Sequence, residues 1–138
     1  MLPFLVFLAL GAADASAPSP VTVKVEKTTL MPGDKLVVTV ENHLDESIFL
    51  PGCNHFLIEM KSGDGFKVVR QKQCFWEGLS VEIAAGKSER FEESIEGISA
   101  GTYRIRVDHS LGCKPGVPLS EGACRSQATA VSADITVR

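Results

Sequence analysis

The sequence predicts an all-β sandwich of about seven to nine short antiparallel strands. Three observations point there. Apolar and polar residues alternate over short runs, the signature of strands with one wet face. Proline, glycine and aspartate clusters separate those runs, as turns require. No long stretch repeats with the helical period of apolar residues.

The elements follow in order. Val21, Val23 and Val25 alternate with Thr22, Lys24 and Glu26, so the valines form a buried face. Met31-Pro32-Gly33-Asp34 is a turn: proline presets the first central residue and glycine accepts positive φ at the second. Leu36, Val38 and Val40 then alternate with Val37, Thr39 and Glu41. The polar run from Asn42 to Ser47 breaks the pattern, and Ile48-Phe49-Leu50 is a short strand ended by Pro51-Gly52. Phe56 to Lys61 is the next strand, Ser62-Gly63-Asp64-Gly65 turns it, and Phe66 to Gln73 returns as a basic strand. Lys67, Arg70 and Lys72 on that return strand discourage edge-to-edge pairing. Val81 and Ile83 make a brief strand before Ala84-Ala85-Gly86-Lys87, and Phe91 and Ile95 mark the next, among Glu89, Glu92 and Glu93 on a solvated face. Tyr103, Ile105 and Val107 face inward, with Arg104, Arg106 and Asp108 outward. Ser110 to Gln127 reads as a long loop containing Pro115, Gly116 and Pro118, and Ala133, Ile135 and Val137 form the last strand.

At 138 residues the chain suits one domain. Met1 to Ala17 is an apolar run ending in small residues, the pattern of a secretory signal peptide. The expected division is a signal over 1–15, cleaved near Ala15 or Ala17, and a single domain over 18–138. No cysteine follows the apolar run, so a lipid anchor on an N-terminal cysteine is not supported, and the run is too short to span a bilayer. A net charge of −3 predicts no attraction to nucleic acid or to anionic lipid. The expectation is a secreted or periplasmic protein with no stable membrane insertion.

Four cysteines behind an export signal favour disulfides. Cys53 with Cys74 and Cys113 with Cys124 is the chosen pairing, because each pair brackets a hairpin or loop; cross-pairing stays open if the segments are neighbours. Each bridge contributes roughly 3 kcal/mol in the loop-entropy model. A metal or redox site is the rival use of these residues, since Cys53-x-His55 is closely spaced and Met60 lies nearby. No Cys-x-x-Cys or His-x3-His occurs, and His43, His55 and His109 read as ordinary surface or loop residues; no metal and no cofactor is expected.

Catalysis lacks a set of converging groups. Asp108, His109 and Ser110 are consecutive, and neighbours on a strand point to opposite faces. No nucleophile elbow or phosphate loop is present, so the chain reads as a non-enzyme. Two places offer binding. Phe75 and Trp76, the latter the one tryptophan of the chain, follow Cys74 directly; the indole either anchors a partner or packs over the open end of the sandwich. The second place is the loop around Lys114, Pro115, Val117 and Leu119, which prolines and a bridge pre-order.

Several turn and strand-start signals carry a resemblance: Pro32-Gly33-Asp34, Glu41-Asn42-His43, the Cys53 to Cys74 hairpin, Ala85-Gly86-Lys87-Ser88 and Gly101-Thr102-Tyr103-Arg104. Over the whole mature chain the sequence resembles a diffuse group of bacterial immunoglobulin-like secreted proteins and lipoproteins. In layout it is similar to the intracellular proteinase-inhibitor domain of Bacillus. The resemblance implies an immunoglobulin-like β-sandwich, and it speaks to fold more than function. It departs from antibody-type domains, which place a cysteine two residues after the tyrosine, where this chain has Ile105. The expected function is a non-catalytic protein-binding or accessory domain whose partner is a protease or an envelope component. The alternatives are a protease inhibitor and a metal-binding or redox protein.

Overall fold

A computed structural model describes residues 20–71, 74 and 80–138. The expected signal segment and Lys72, Gln73, Phe75 and Trp76 lie outside the described residues. The architecture is all-β, with no α-helix among the described residues and a single 3-10 turn at Leu119–Glu121.

Among the described residues eleven strands form two sheets that do not close. The first sheet has the order β1-β3-β8: β1 (Val21–Val25) and β8 (Ser88–Ser94) flank β3 (Lys35–Asn42), both antiparallel to it. The second is built around β9 (Gly101–Leu111), the longest strand. Along one edge of β9 run β10 (Ser126–Val131) and β11 (Ile135–Val137); β4 (Ile48–Leu50) and β5 (Leu57–Ser62) pair with it as well. Outside these lie β6 (Gly65–Arg70) on β5, β7 (Val81–Ile83) on β4 and β2 (Thr29–Leu30) on β11.

Two features correct the expectation of seven to nine antiparallel strands. The β2–β11 pair is parallel. The count rises to eleven because chain courses are interrupted. After β1 the chain leaves the first sheet, and β2 joins the second. Likewise β10 and β11 follow one edge of β9 with a one-residue shift in register between them. Ser132, buried at that break, satisfies it: its hydroxyl accepts from Ile105 N–H at 2.9 Å and donates to Ala133 O at 2.8 Å, while its own N–H donates to Ile105 O at 2.9 Å. Residues 126–131, placed in a loop and its exit by the sequence, are therefore strand.

One core lies between the sheets. Val21, Val23, Leu36, Val38 and Val40 come from the first sheet, and Ile48, Leu50, Ile58, Ile83, Tyr103, Ile105, Val107, Ile135 and Val137 from the second. Period-two alternation places them there: β3 and β9 are buried at every second residue over most of their lengths. At the turn from β2 to β3, Gly33 sits at φ 89, and Asp34 N–H donates to Met31 O at 3.0 Å, closing the turn as Pro32-Gly33 requires. At the other end Asn42 is buried. Its amide donates to the carbonyls of Glu46, Ile83 and Ala84 at 2.8 to 3.2 Å, and its oxygen accepts from Leu44 N–H at 3.0 Å. One side chain thus ties β3, the following loop and the end of β7 together.

Candidate functional site

Two stapled segments meet at one end of the molecule. Cys53 is bonded to Cys74, with Cα atoms 6.3 Å apart, and Cys113 to Cys124, with Cα atoms 3.9 Å apart. The first bridge joins the stretch after β4 to the stretch after β6. Pro51-Gly52 ends β4, and the ring of His55 folds back to bond Pro51 O at 2.8 Å. His55 also stacks on Phe91 of β8, centroid to centroid 4.9 Å, with Phe56 beside it at 6.1 Å. Residues 51–56 are therefore held against both sheets.

The second bridge closes a narrow-necked loop after β9. Gly112 turns the chain at φ 63, and a Cβ there would meet Arg125 at 2.9 Å. Lys114 N–H donates to Ala123 O at 2.9 Å just inside the bridge. The 3-10 turn at Leu119–Glu121 then carries Leu119 back over the first bridge.

Between the two lies a pocket of about 260 Å³. Its walls are the Cys53–Cys74 bridge, Phe56 and Leu57, the amides Asn54 and Gln71, the pair Arg106 and Asp108, and Leu119. That volume lies below the roughly 300–1,000 Å³ of small-molecule sites.

An ionic ladder supports the floor. On the outward face of β9, Arg104 Nε donates to Glu59 Oε1 at 2.8 Å, and Arg106 Nη1 donates to Glu59 Oε2 at 3.1 Å. Arg106 also grips Asp108 with two bonds of 2.9 and 3.1 Å, and Thr129 Oγ1 donates to Asp108 at 2.8 Å. Phe66 lies over the Arg104 guanidinium at 4.0 Å from its ring centroid. The hydrogen bond from Arg106, and then that from Thr129, hold the Asp108 carboxyl below the usual carboxylate range. The Asp108 bond in turn raises Arg106. Both groups stay ionised at neutral pH, and Asp108 is committed to its partners.

Leu119 lines the pocket, whereas Lys114 and Pro115 project into solvent and Val117 is half-buried outside it. Phe75 and Trp76 lie outside the described residues. Asp108 and His109 point to opposite faces: Asp108 bonds Arg106 outside, and His109 is 4 % exposed among the inward residues of β9. His109 thus corrects the reading of all three histidines as surface or loop residues. Its Nδ1 has no hydrogen-bond partner among the described residues. Burial pushes its pKa down, partly offset by a bond from the ring to the Val107 backbone and by the Asp108 charge. His43 is exposed, its Nε2 3.0 Å from Thr22 Oγ1.

For the metal reading, Cys53 and Cys74 hold each other and offer no thiolate. Among the described residues no cluster of three His, Cys, Asp or Glu side chains stands at metal-binding distance. Arg106, Asp108, Gln71 and Glu59 were missed as site residues. The available signal was the outward row Arg104-Arg106-Asp108, which needed an anionic neighbour on the next strand. No protein-family model matches the chain, and no curated protein matches it either.

Proposed function

We propose that this chain is a secreted or periplasmic, non-catalytic immunoglobulin-like domain that binds another protein at the pocket beneath Leu119. One observation carries the reading: the two disulfide-closed segments, far apart in sequence, converge on one small, partly apolar pocket with a rigid ionic floor. Pre-ordered walls reduce the entropy lost on binding, and a single buried side chain can dominate affinity.

The immunoglobulin-like part rests on topology. Taking β1, β3 and β8 as the first, second and fifth strands of that fold, and β9 with β10 and β11 as the last two, gives its partition between sheets. Tyr103 supports it further. It lies near the start of β9 and its hydroxyl donates to Ser99 O at 2.5 Å, four residues upstream, the tyrosine corner of such domains. Ile105, fully buried, fills the place where antibody-type domains put their second cysteine. Secretion is supported by the two disulfides, which fit an oxidising compartment. No helix among the described residues is long and apolar enough to cross a membrane.

The test is chemical crosslinking in native envelope and culture medium, using the intact protein beside a Leu119→Asp variant. The expected result is a protein captured by the intact chain and lost with the variant. Equal capture by both removes the pocket from the reading. The exposed Lys114 and Pro115 on their bridged loop favour a second reading, protease inhibition by that loop wedged into an active-site cleft. Titration against subtilisin-like and papain-like proteases decides it: no inhibition at equimolar excess rules it out.

A further inference from the structure

We propose that the Cys53–Cys74 bridge is a thiol-exchange site, at which an incoming thiolate attacks Cys53 Sγ and releases Cys74 as the thiolate. This chemistry is separate from the binding role of the pocket beneath Leu119, and either can fail while the other stands.

Three observations set this bridge apart from Cys113–Cys124. The first is access. Both Cys53 and Cys74 stand in the wall of the pocket of about 260 Å³, and Cys74 is exposed, so a cysteine side chain or a small thiol has a path to the sulfurs. Cys113 and Cys124 are half-buried and are not among those walls. The second is a donor: Asn54 Nδ2 donates to Cys74 Sγ at 3.5 Å. Such a donor bonds a thiolate more strongly than a neutral disulfide, so it favours Cys74 as the leaving group and directs attack to Cys53. Arg106, which lines the same pocket, is paired with Asp108, and the pair adds no net charge. The amide is what distinguishes the two sulfurs. The third lies at the other bridge, which backbone bonds bracket. Lys114 N–H donates to Ala123 O inside its loop and Arg125 N–H to Leu111 O outside it, both at 2.9 Å. Those bonds keep Cys113 beside Cys124 after an attack, so the bridge recloses and expels the incoming thiol.

The co-reactant is a dithiol, and the electrons balance. Its first thiolate forms a bond to Cys53 Sγ as the Cys53–Cys74 bond breaks, and Cys74 leaves with the electron pair and takes a proton from water. The second thiolate of the dithiol attacks its own sulfur in the mixed disulfide, and Cys53 leaves as a thiolate that is protonated in turn. The dithiol ends as a disulfide and the bridge as two thiols, two electrons having passed between them. A monothiol takes the first step alone and marks the sulfur attacked. The stability that the bridge contributes sets the equilibrium of this exchange, whereas access and the leaving group set its rate.

The test exposes the intact, folded protein to glutathione as the monothiol, quenches with acid at intervals and locates the adducts by peptide mass mapping. The expected result is glutathione on Cys53 with Cys74 as the free thiol, forming roughly tenfold or more faster than any adduct on Cys113 or Cys124. Asn54→Leu removes the donor and is expected to slow the exchange about fivefold. A merely structural role for Asn54 predicts the opposite sign, because a loosened segment exchanges faster. Equal or reversed rates at the two bridges, glutathione on Cys74, or a folded Asn54→Leu variant that exchanges as fast as wild type or faster overturns the proposal. If Asn54→Leu fails to fold by circular dichroism, the wild-type map decides alone, on the rates and on the sulfur attacked.

Discussion

Glu59 stands on the outward face of β5, yet its side chain is 4 % exposed. Two guanidiniums, each about a third exposed, close over it, and Phe66 stacks on one of them. Removing the carboxylate strands Arg104 and frees one bond of Arg106, while Asp108 keeps the other two. Glu59→Ala should therefore destabilise by about 2 kcal/mol, below the cost of breaking a fully buried pair because both cations reach water. Urea unfolding checks it, and a loss under half that size would mean the ladder is a solvated surface feature. His109 makes a second prediction. Its folded pKa is lowered below the ordinary 6.5, so the unfolded chain binds the extra proton more readily. The stability this burial of the neutral ring permits is complete above pH 6.5 and is lost as pH falls through and below it. Asp108 acts lower, beneath its ordinary 3.8, so the windows separate. Unfolding free energy should rise between about pH 5 and 7, and His109→Phe should flatten that slope. An unchanged slope in the variant would assign the effect to other groups.

Among the elements, β9 organises the molecule, and Tyr103 fixes where it starts. Its hydroxyl bond to Ser99 O holds the turn between β8 and β9 while the ring stays in the core. Tyr103→Phe keeps the ring and deletes the bond, so thermal unfolding should report a loss of about 1 kcal/mol with the far-ultraviolet spectrum unchanged. No loss would mean the Ser99 carbonyl is served equally well by water. The strands that were legible in sequence are those with large apolar residues at alternate positions. Leu36, Val38 and Val40, or Tyr103, Ile105 and Val107, announce both the strand and its buried face. β10 was not legible, because Ser126-Gln127-Ala128-Thr129-Ala130-Val131 has no large inward side chain. Its strand state comes from the ladder to β9, a non-local pairing that local alternation does not encode. β2 escaped for the same reason: two residues held by a parallel partner distant in sequence. The candidate site was half legible. Leu119 and the bridged segments could be named from cysteine and proline spacing. Glu59 reads as an ordinary exposed strand residue until the register with Arg104 is known.

At the scale of the whole molecule, the two bridges do different work. The Cys53–Cys74 loop, with a separation of 21 residues, contains Phe56 and Ile58 of the core. The Cys113–Cys124 loop, with a separation of 11, contains no residue of the buried core cluster. Loop entropy assigns each bridge roughly 3 kcal/mol, the longer gaining about 0.6 kcal/mol per doubling of length. Replacing Cys53 and Cys74 together by serine should therefore cost the larger share of stability, since it loosens residues 51–56 against Phe91 and reaches the core. Replacing Cys113 and Cys124 should leave the core packed but release Leu119 from the pocket wall. The expected outcome is an asymmetry. The first double variant loses more in the melt, and the second loses partner capture out of proportion to its small drop in melting temperature. If instead capture follows melting temperature in both, the loop acts through overall stability, and the bridges are staples alone. If the second variant captures as well as wild type, the recognition surface lies off the Leu119 wall, and the exposed Lys114-Pro115 tip becomes the place to search.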